Sequence, residues 1–248
     1  MKKLTLIVTM IVGVTISSSA QKPIPPEVYE TIKEHPAPAG TYFLLKDAIA
    51  HPTKVIELNL NTGYLTKVPD EVIKFRNIET LDLSFNEVSE LPAWIVRLKK
   101  LKKIILTKNK LTKLPDFIFN ISSLEYADFS SNAIDTFEIA GPKVNSLKEL
   151  NLSFNSLKKI PDCFGYLQTL EILRLENNHL TSIPAVIGKM KSLKNLYLYH
   201  NNITDYDENI KDAAALRTLF LAQNPIDDAM IIALKKILPN CQIYFGQP

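Results

Sequence analysis

Leu147-Lys148-Glu149-Leu150-Asn151-Leu152-Ser153-Phe154-Asn155-Ser156-Leu157 decides how this chain folds. Leu150 and Leu152 are two residues apart, so in an extended segment both side chains point to one face. Glu149, Asn151 and Ser153 alternate with them onto the other. With Leu147 as position 1, steps of 23 residues in either direction return the same pattern. Position 1 is Val55, Ile78, Leu101, Leu124, Leu147, Leu170, Leu193 and Leu216. Position 4 is Leu58, Leu81, Ile104, Ala127, Leu150, Leu173, Leu196 and Leu219; position 6 is Leu60, Leu83, Leu106, Phe129, Leu152, Leu175, Leu198 and Leu221. Position 9 is Gly63, then Asn86, Asn109, Asn132, Asn155, Asn178, Asn201 and Asn224. Position 11 is apolar in every row. A single row cannot bury its own apolar face, so neighbouring rows must stack, their strands aligned as a parallel sheet about 4.8 Å apart. The position-9 asparagine falls where the chain turns after the strand. Its amide can bond turn backbone that would otherwise be buried and unpaired.

Written out, the row is L-x-x-L-x-L-x-x-N-x-L, which resembles the leucine-rich-repeat family. Five rows continue with proline at position 15, Pro69, Pro92, Pro115, Pro161 and Pro184. Tails such as Leu91-Pro92-Ala93-Trp94-Ile95-Val96-Arg97-Leu98 resemble the 23-residue class. The resemblance covers residues 55–226 strictly and the flanks loosely. It implies an α/β fold: a right-handed solenoid with a concave parallel β-sheet, irregular or short helical convex segments, and helical N- and C-terminal caps. It also implies that Asn86, Asn109, Asn132, Asn155, Asn178, Asn201 and Asn224 form a stacked internal ladder.

Departures from the pattern are informative. Ala127 and Phe129 exchange a large and a small side chain in one row, a volume-conserving swap. The same row lacks the proline and contains Ala140-Gly141-Pro142, so its return should be irregular. Asp207 replaces proline in the seventh row, where Ala213-Ala214-Ala215 suits a short helix over residues 209–216.

The flanks read as a leader and two caps. Lys2 and Lys3, an apolar run from Leu4 to Ile16, and Ser18-Ser19-Ala20 form a secretory signal over residues 1–20, too short to span a membrane. The best cleavage point lies between Ala20 and Gln21, which marks the chain as similar to exported bacterial members of the family. Residues 21–54 read as the N-terminal cap, with helices over residues 26–32 and 43–50. Residues 227–248 read as the C-terminal cap. Asp227 or Asp228 starts a helix running to about Leu238, with Ala229, Met230, Ala233, Leu234 and Ile237 as its apolar stripe. Gln242-Ile243-Tyr244-Phe245 then reads as a closing edge strand.

Charge and chemistry-bearing residues narrow the function. Formal net charge is +3, and removal of Lys2 and Lys3 leaves basic and acidic residues nearly balanced, which argues against a nucleic-acid binder. Arg97, Lys99, Lys100, Lys102, Lys103, Lys108 and Lys110 read as scattered solvated charge. Cys163 and Cys241 fall four strand steps apart, roughly 19 Å at 4.8 Å per strand, too far for a disulfide, which needs Cα atoms within about 7 Å. Two thiols in small apolar slots are expected, with no base in register to activate them. His179, His200 and Glu176 come close enough to suggest a metal, but nothing orients them, so no metal or cofactor is expected. Asn120, Asn151 and Asn202 head glycosylation triplets, which matter only in a host with that machinery.

The outward strand positions carry the functional signal. Rows one to five are mostly small and polar there, although Tyr126 stands out. Rows six to eight gather Ile172, Arg174, Tyr197, Tyr199 and Phe220. Aromatic residues and arginine are the usual anchors of protein interfaces. The expected function is therefore non-enzymatic binding of a protein or peptide on the concave face, outside the cytoplasm. Glycan or glycoprotein binding and self-association through an exposed sheet edge are the alternatives. An enzymatic role would need a catalytic domain, for which the residues after the last row are too few.

Overall fold

A computed structural model describes residues 38–137, 139–141 and 146–246. The leader over residues 1–20 and the helix expected over residues 26–32 lie outside the described residues.

Ten strands form one parallel sheet in the order β1-β2-β3-β4-β6-β8-β9-β11-β13-β14. They are β1 (Thr41–Tyr42), β2 (Glu57–Asn59), β3 (Thr80–Asp82), β4 (Lys103–Ile105), β6 (Tyr126–Asp128), β8 (Glu149–Asn151), β9 (Ile172–Arg174), β11 (Asn195–Tyr197), β13 (Thr218–Phe220) and β14 (Gln242–Tyr244). From β2 to β13 the pairing keeps the 23-residue step, as in Glu149 opposite Ile172 and Asn195 opposite Thr218. β5 (Lys113–Leu114) pairs with β7 (Thr136–Phe137), and β10 (Ser182–Ile183) with β12 (Asp205–Tyr206), on the return side. This is a leucine-rich-repeat solenoid fold built from a parallel sheet with few helices.

The core follows the sequence pattern. Positions 1, 4 and 6 are buried in all eight rows, including Ala127 beside the fully enclosed Phe129. The returns are mostly single turns of 3-10 helix: Asp70–Lys74, Ala93–Arg97, Asp116–Asn120, Asp162–Tyr166 and Glu208–Asp212. Pro69, Pro92, Pro115 and Pro161 hold extended backbone just ahead of the first four. A fixed φ suits that entry, and the missing N–H costs nothing at a helix start. Asp207 replaces proline by a different device, its carboxylate accepting from the Asn209 N–H at 2.9 Å. Among the described residues, only the sixth row makes a short α-helix, α2 (Val186–Lys189), after α1 (Leu45–Ala50) in the N-terminal flank.

Four expectations need correction. The helix expected over residues 43–50 begins at Leu45, and β1 precedes it as an additional edge strand. The helix expected over residues 209–216 is a 3-10 turn ending at Asp212, with Ala214 and Ala215 in a turn, because Leu216 must enter the core of the next row. The terminal helix α3 (Asp228–Ile237) buries Met230, Ile231 and Leu234, while Ala229 faces solvent. Its cap is Asp227, whose carboxylate accepts from the Met230 N–H at 2.8 Å. Finally, neither cysteine sits in a closed apolar slot: Cys163 and Cys241 are both half-buried at the edge of the core. They form no disulfide.

Candidate functional site

The turn after each strand holds the solenoid together. Asn155 Oδ1 accepts from the Ile134 N–H at 2.9 Å, reaching back one row. Its Nδ2 donates to the carbonyls of Phe129 at 3.0 Å, Leu152 at 3.1 Å and Ser153 at 3.2 Å. The same set recurs at Asn86, Asn109, Asn132, Asn178, Asn201 and Asn224. Each amide therefore links its own turn to the row before it. Position 8, just ahead of each asparagine, is left-handed in every row: Thr62, Phe85, Lys108, Ser131, Phe154, Asn177, His200 and Gln223 have φ between 53° and 58°. No glycine marks these sites, so the sequence pattern does not reveal them.

The open face of the sheet divides into two halves with different chemistry. In rows one, two, four and five, position 5 is Asn59, Asp82, Asp128 and Asn151. Each side chain accepts from the backbone N–H two residues on, at 2.8–3.1 Å. These polar groups are committed to the backbone of their own turn. From row six onward the same column holds Arg174, Tyr197 and Phe220, whose side chains project as a stack. The Arg174 guanidinium lies 4.2 Å from the Tyr197 ring centre. Tyr197 stacks on Phe220 at 4.5 Å and Phe220 on Tyr244 at 4.7 Å, each pair 8° from parallel.

Tyr244 is the member that sequence reasoning missed. A strict 23-residue step from Phe220 lands on Ile243, which should then face outward. The last step is instead 24 residues: Phe220 pairs with Tyr244, and Ile243 turns into the core beside Leu219. Burial of Ile243 and exposure of Tyr244 are the signal that would have set the register.

Other residues singled out from the sequence lie apart from the stack. Tyr199 follows β11, two residues beyond Tyr197, in the position-7 column beside Glu176. Burial, then the Glu176 charge, push its phenol above the usual range. Ile172 pairs between Glu149 and Asn195. Tyr126 is three rows from Tyr197, under the Lys103 ammonium at 4.8 Å, and its hydroxyl donates to Asp128 Oδ2 at 3.1 Å. Burial, and then the Asp128 charge, push that phenol strongly up.

The stack adjoins an acidic cluster. Arg174 Nε donates to Glu149 Oε1 at 2.9 Å, and its Nη1 stands 3.9 Å from Glu176 Oε1. Asp128 accepts from the Ser130 N–H and hydroxyl, the Tyr126 hydroxyl and the Asn151 amide. Glu176 is 6% exposed, and its Oε2 accepts no hydrogen bond. Burial raises its pKa, opposed by backbone N–H groups and by Arg174.

Elsewhere ion pairs gather in one column. Position 2 alternates in sign, Glu79, Lys102, Glu125, Lys148, Glu171 and Lys194, with ion pairs of 2.8, 3.8 and 2.6 Å between successive members. Lys110 pairs with Glu87 at 3.0 Å and Lys100 with Asn77 at 2.9 Å. Within the basic cluster of rows two and three, Lys100, Lys102 and Lys110 are thereby partnered. His179 and His200 line a shallow groove on the turn ridge with Asn177 and Asn201. Among the described residues, no group of three His, Cys, Asp or Glu side chains is placed to hold a metal, and no helix is long and apolar enough to cross a membrane.

Repeating strand, shared turn amide and an open sheet face define a leucine-rich-repeat solenoid. Comparison with known proteins gives the family. The profile described as "Leucine rich repeat" matches residues 53–111, 99–157 and 168–226, and the chain belongs to that family. No curated protein matches the sequence. Among solved structures, the chain is similar to an LRR protein of Leptospira interrogans, with 28% identity over 79% of this chain and 62% of that one, TM-score 0.47. It is also similar to the plant peptide hormone receptor RGFR1 solved in complex with RGF2, with 27% identity over 78% of this chain and 32% of that one, TM-score 0.59. Internalin C2 of Listeria monocytogenes shares the fold at 19% identity, over 80% of this chain and 84% of that one, TM-score 0.63. The chain thus spans less than two thirds of the first two structures. Leucine-rich-repeat proteins commonly mediate protein–protein binding, and the fold is generally a non-enzymatic scaffold.

Proposed function

We propose that the chain is an exported, non-enzymatic binding protein of the 23-residue class, which holds a protein or peptide partner on the concave face of its C-terminal rows. The observation that carries this is the continuous stack Arg174–Tyr197–Phe220–Tyr244. It occupies the column that is committed to the backbone in rows one, two, four and five. Flat rings held in contact lose little side-chain freedom on binding, which favours them as anchors. The plant receptor, 27% identical, was solved with RGF2 bound, which supports a peptide-like partner. Export is supported by Lys2, Lys3 and the apolar run that follows. The test is a crosslinking pull-down of the exported chain from its native surroundings, beside a Tyr197→Ala/Phe220→Ala double variant. A partner held by the wild-type chain and lost from the variant supports the reading. A partner held equally by both, or a glycan ligand that outcompetes it, contradicts the reading.

A further inference from the structure

Glu176 is the anomaly among the carboxylates of the open face. It sits at position 7 of row six, between Ser153 and Tyr199 of the adjoining rows. Buried carboxylates are ordinarily paired or hydrogen-bonded, because desolvating an unpaired charge is costly. Asp128 shows the ordinary arrangement, with four donors of its own. Glu149 shows it too, with Arg174 at 2.9 Å. Glu176 Oε2 has no partner although the residue is 6% exposed. The nearest cation does not repair this. Arg174 is engaged by Glu149 through Nε and by the Tyr197 ring through its guanidinium plane, which leaves only a 3.9 Å approach to Oε1. Lys103 lies over the Tyr126 ring instead. Carboxylates therefore outnumber cations in this part of the face, and one oxygen, Glu176 Oε2, lacks a donor.

We propose that Glu176 is the seat for an arginine or lysine side chain of the partner, whose neighbouring residues lie along the Tyr197–Phe220–Tyr244 stack. This rests on the concave-face reading and deepens it by giving the partner's chemistry. A guanidinium or ammonium supplies the donor that Oε2 lacks and offsets the local negative charge. Tyr199 and Arg174 are only partly buried, so both have room to shift when the cation enters. The aromatic stack beside the carboxylate gives the cation's aliphatic stem and adjacent side chains an apolar wall. The arrangement also explains why a carboxylate with one unsatisfied oxygen persists at a place where glutamine or leucine would fold more easily. Groups that cost stability in the unbound protein are characteristic of binding sites.

The probe is a displayed library of random twelve-residue peptides selected against the full chain, followed by titration of the retained peptides as synthetic compounds. The expected result is enrichment of arginine or lysine next to aromatic or aliphatic residues. Glu176→Gln should weaken a retained peptide at least tenfold, with an unchanged or higher melting temperature. Replacing the peptide's basic residue by glutamine should cost a similar factor. Combining the two changes should add little, since both break one contact. Retention of peptides that need Tyr197 but bind the Glu176→Gln variant equally well overturns the cation seat and leaves the concave-face reading standing. Enrichment of acidic peptides overturns the cation seat as well. Peptides indifferent to both Tyr197→Ala and Glu176→Gln, or a library from which nothing is retained, overturn both.

Discussion

Replacing Asn155 by alanine tests what holds the rows together. The side chain serves one N–H and three carbonyls, and Ile134, whose N–H it accepts from, is itself buried in the preceding row. Alanine removes the acceptor and leaves that N–H without its partner. A buried unsatisfied donor costs about 1–3 kcal/mol. The carbonyls lose donors as well, but each has a second lone pair, so their contribution is smaller. The expected loss is therefore about 2–3 kcal/mol at a single mid-array site. Because each row contacts only its neighbours, the damage should also weaken cooperativity between the two halves. Equilibrium urea unfolding followed by circular dichroism reads both effects, as a lower midpoint and a shallower slope. Asn155→Asp sharpens the test. It keeps an acceptor for Ile134 but turns a carboxylate toward carbonyl oxygens now 3.0–3.2 Å from the amide nitrogen. Its folded pKa should be raised above the unfolded value. Its stability should be best below the carboxylate range and fall as pH rises through the raised pKa. An alanine variant within about 0.5 kcal/mol of wild type, the range of ordinary surface changes, would refute the reasoning, as would an aspartate variant that gains stability with pH.

Three further outcomes follow from the same geometry. Glu176 has its pKa raised by burial, so its contribution to stability is fully present below the unfolded carboxylate pKa and lost as pH rises through the folded one. The melting-temperature advantage of Glu176→Gln should therefore grow between acid and neutral pH, and a constant difference would contradict the assignment. At position 8, Ser131 has φ 55°, so Ser131→Val should lose about 1–2 kcal/mol while Ser131→Gly stays close to wild type; equal melting curves for the two would show that the left-handed turn is not constraining. Intact-mass analysis after alkylation under denaturing conditions without reductant should show two labels, on Cys163 and Cys241. In the folded protein Cys241 should react slowly at neutral pH, since burial pushes its thiol up to about 11.

The strands, core and turn asparagines were legible in the sequence because their physics repeats every 23 residues. Leu150, Leu152 and Asn155 carry the same burden as Leu196, Leu198 and Asn201, and eight copies leave one register. What was not legible is what does not repeat. Tyr244 joined the stack through one extra residue in the last step, which only tertiary packing of Ile243 and α3 could fix. The left-handed turn at position 8 was hidden because Phe85, Lys108 and Phe154 stand where a glycine would have announced it. In the sequence Glu176 stands out only as a neighbour of His179 and His200. Its isolation depends on Arg174 turning toward Glu149, a side-chain choice that no linear pattern encodes. The alternation of Glu79, Lys102, Glu125 and Lys148 is present in the sequence, but nothing in a single row shows that position 2 faces its counterpart in the next.

Hydrogen–deuterium exchange of the chain with and without its captured partner tests the central claim most directly. The account predicts slowed exchange in the backbone over residues 172–177, 195–200, 218–222 and 242–245, with little change over residues 57–61 and 80–84. Protection centred on Asn59, Asp82 and Ser84, with the segments around Tyr197, Phe220 and Tyr244 unchanged, would contradict it and place the binding face at the other end of the solenoid.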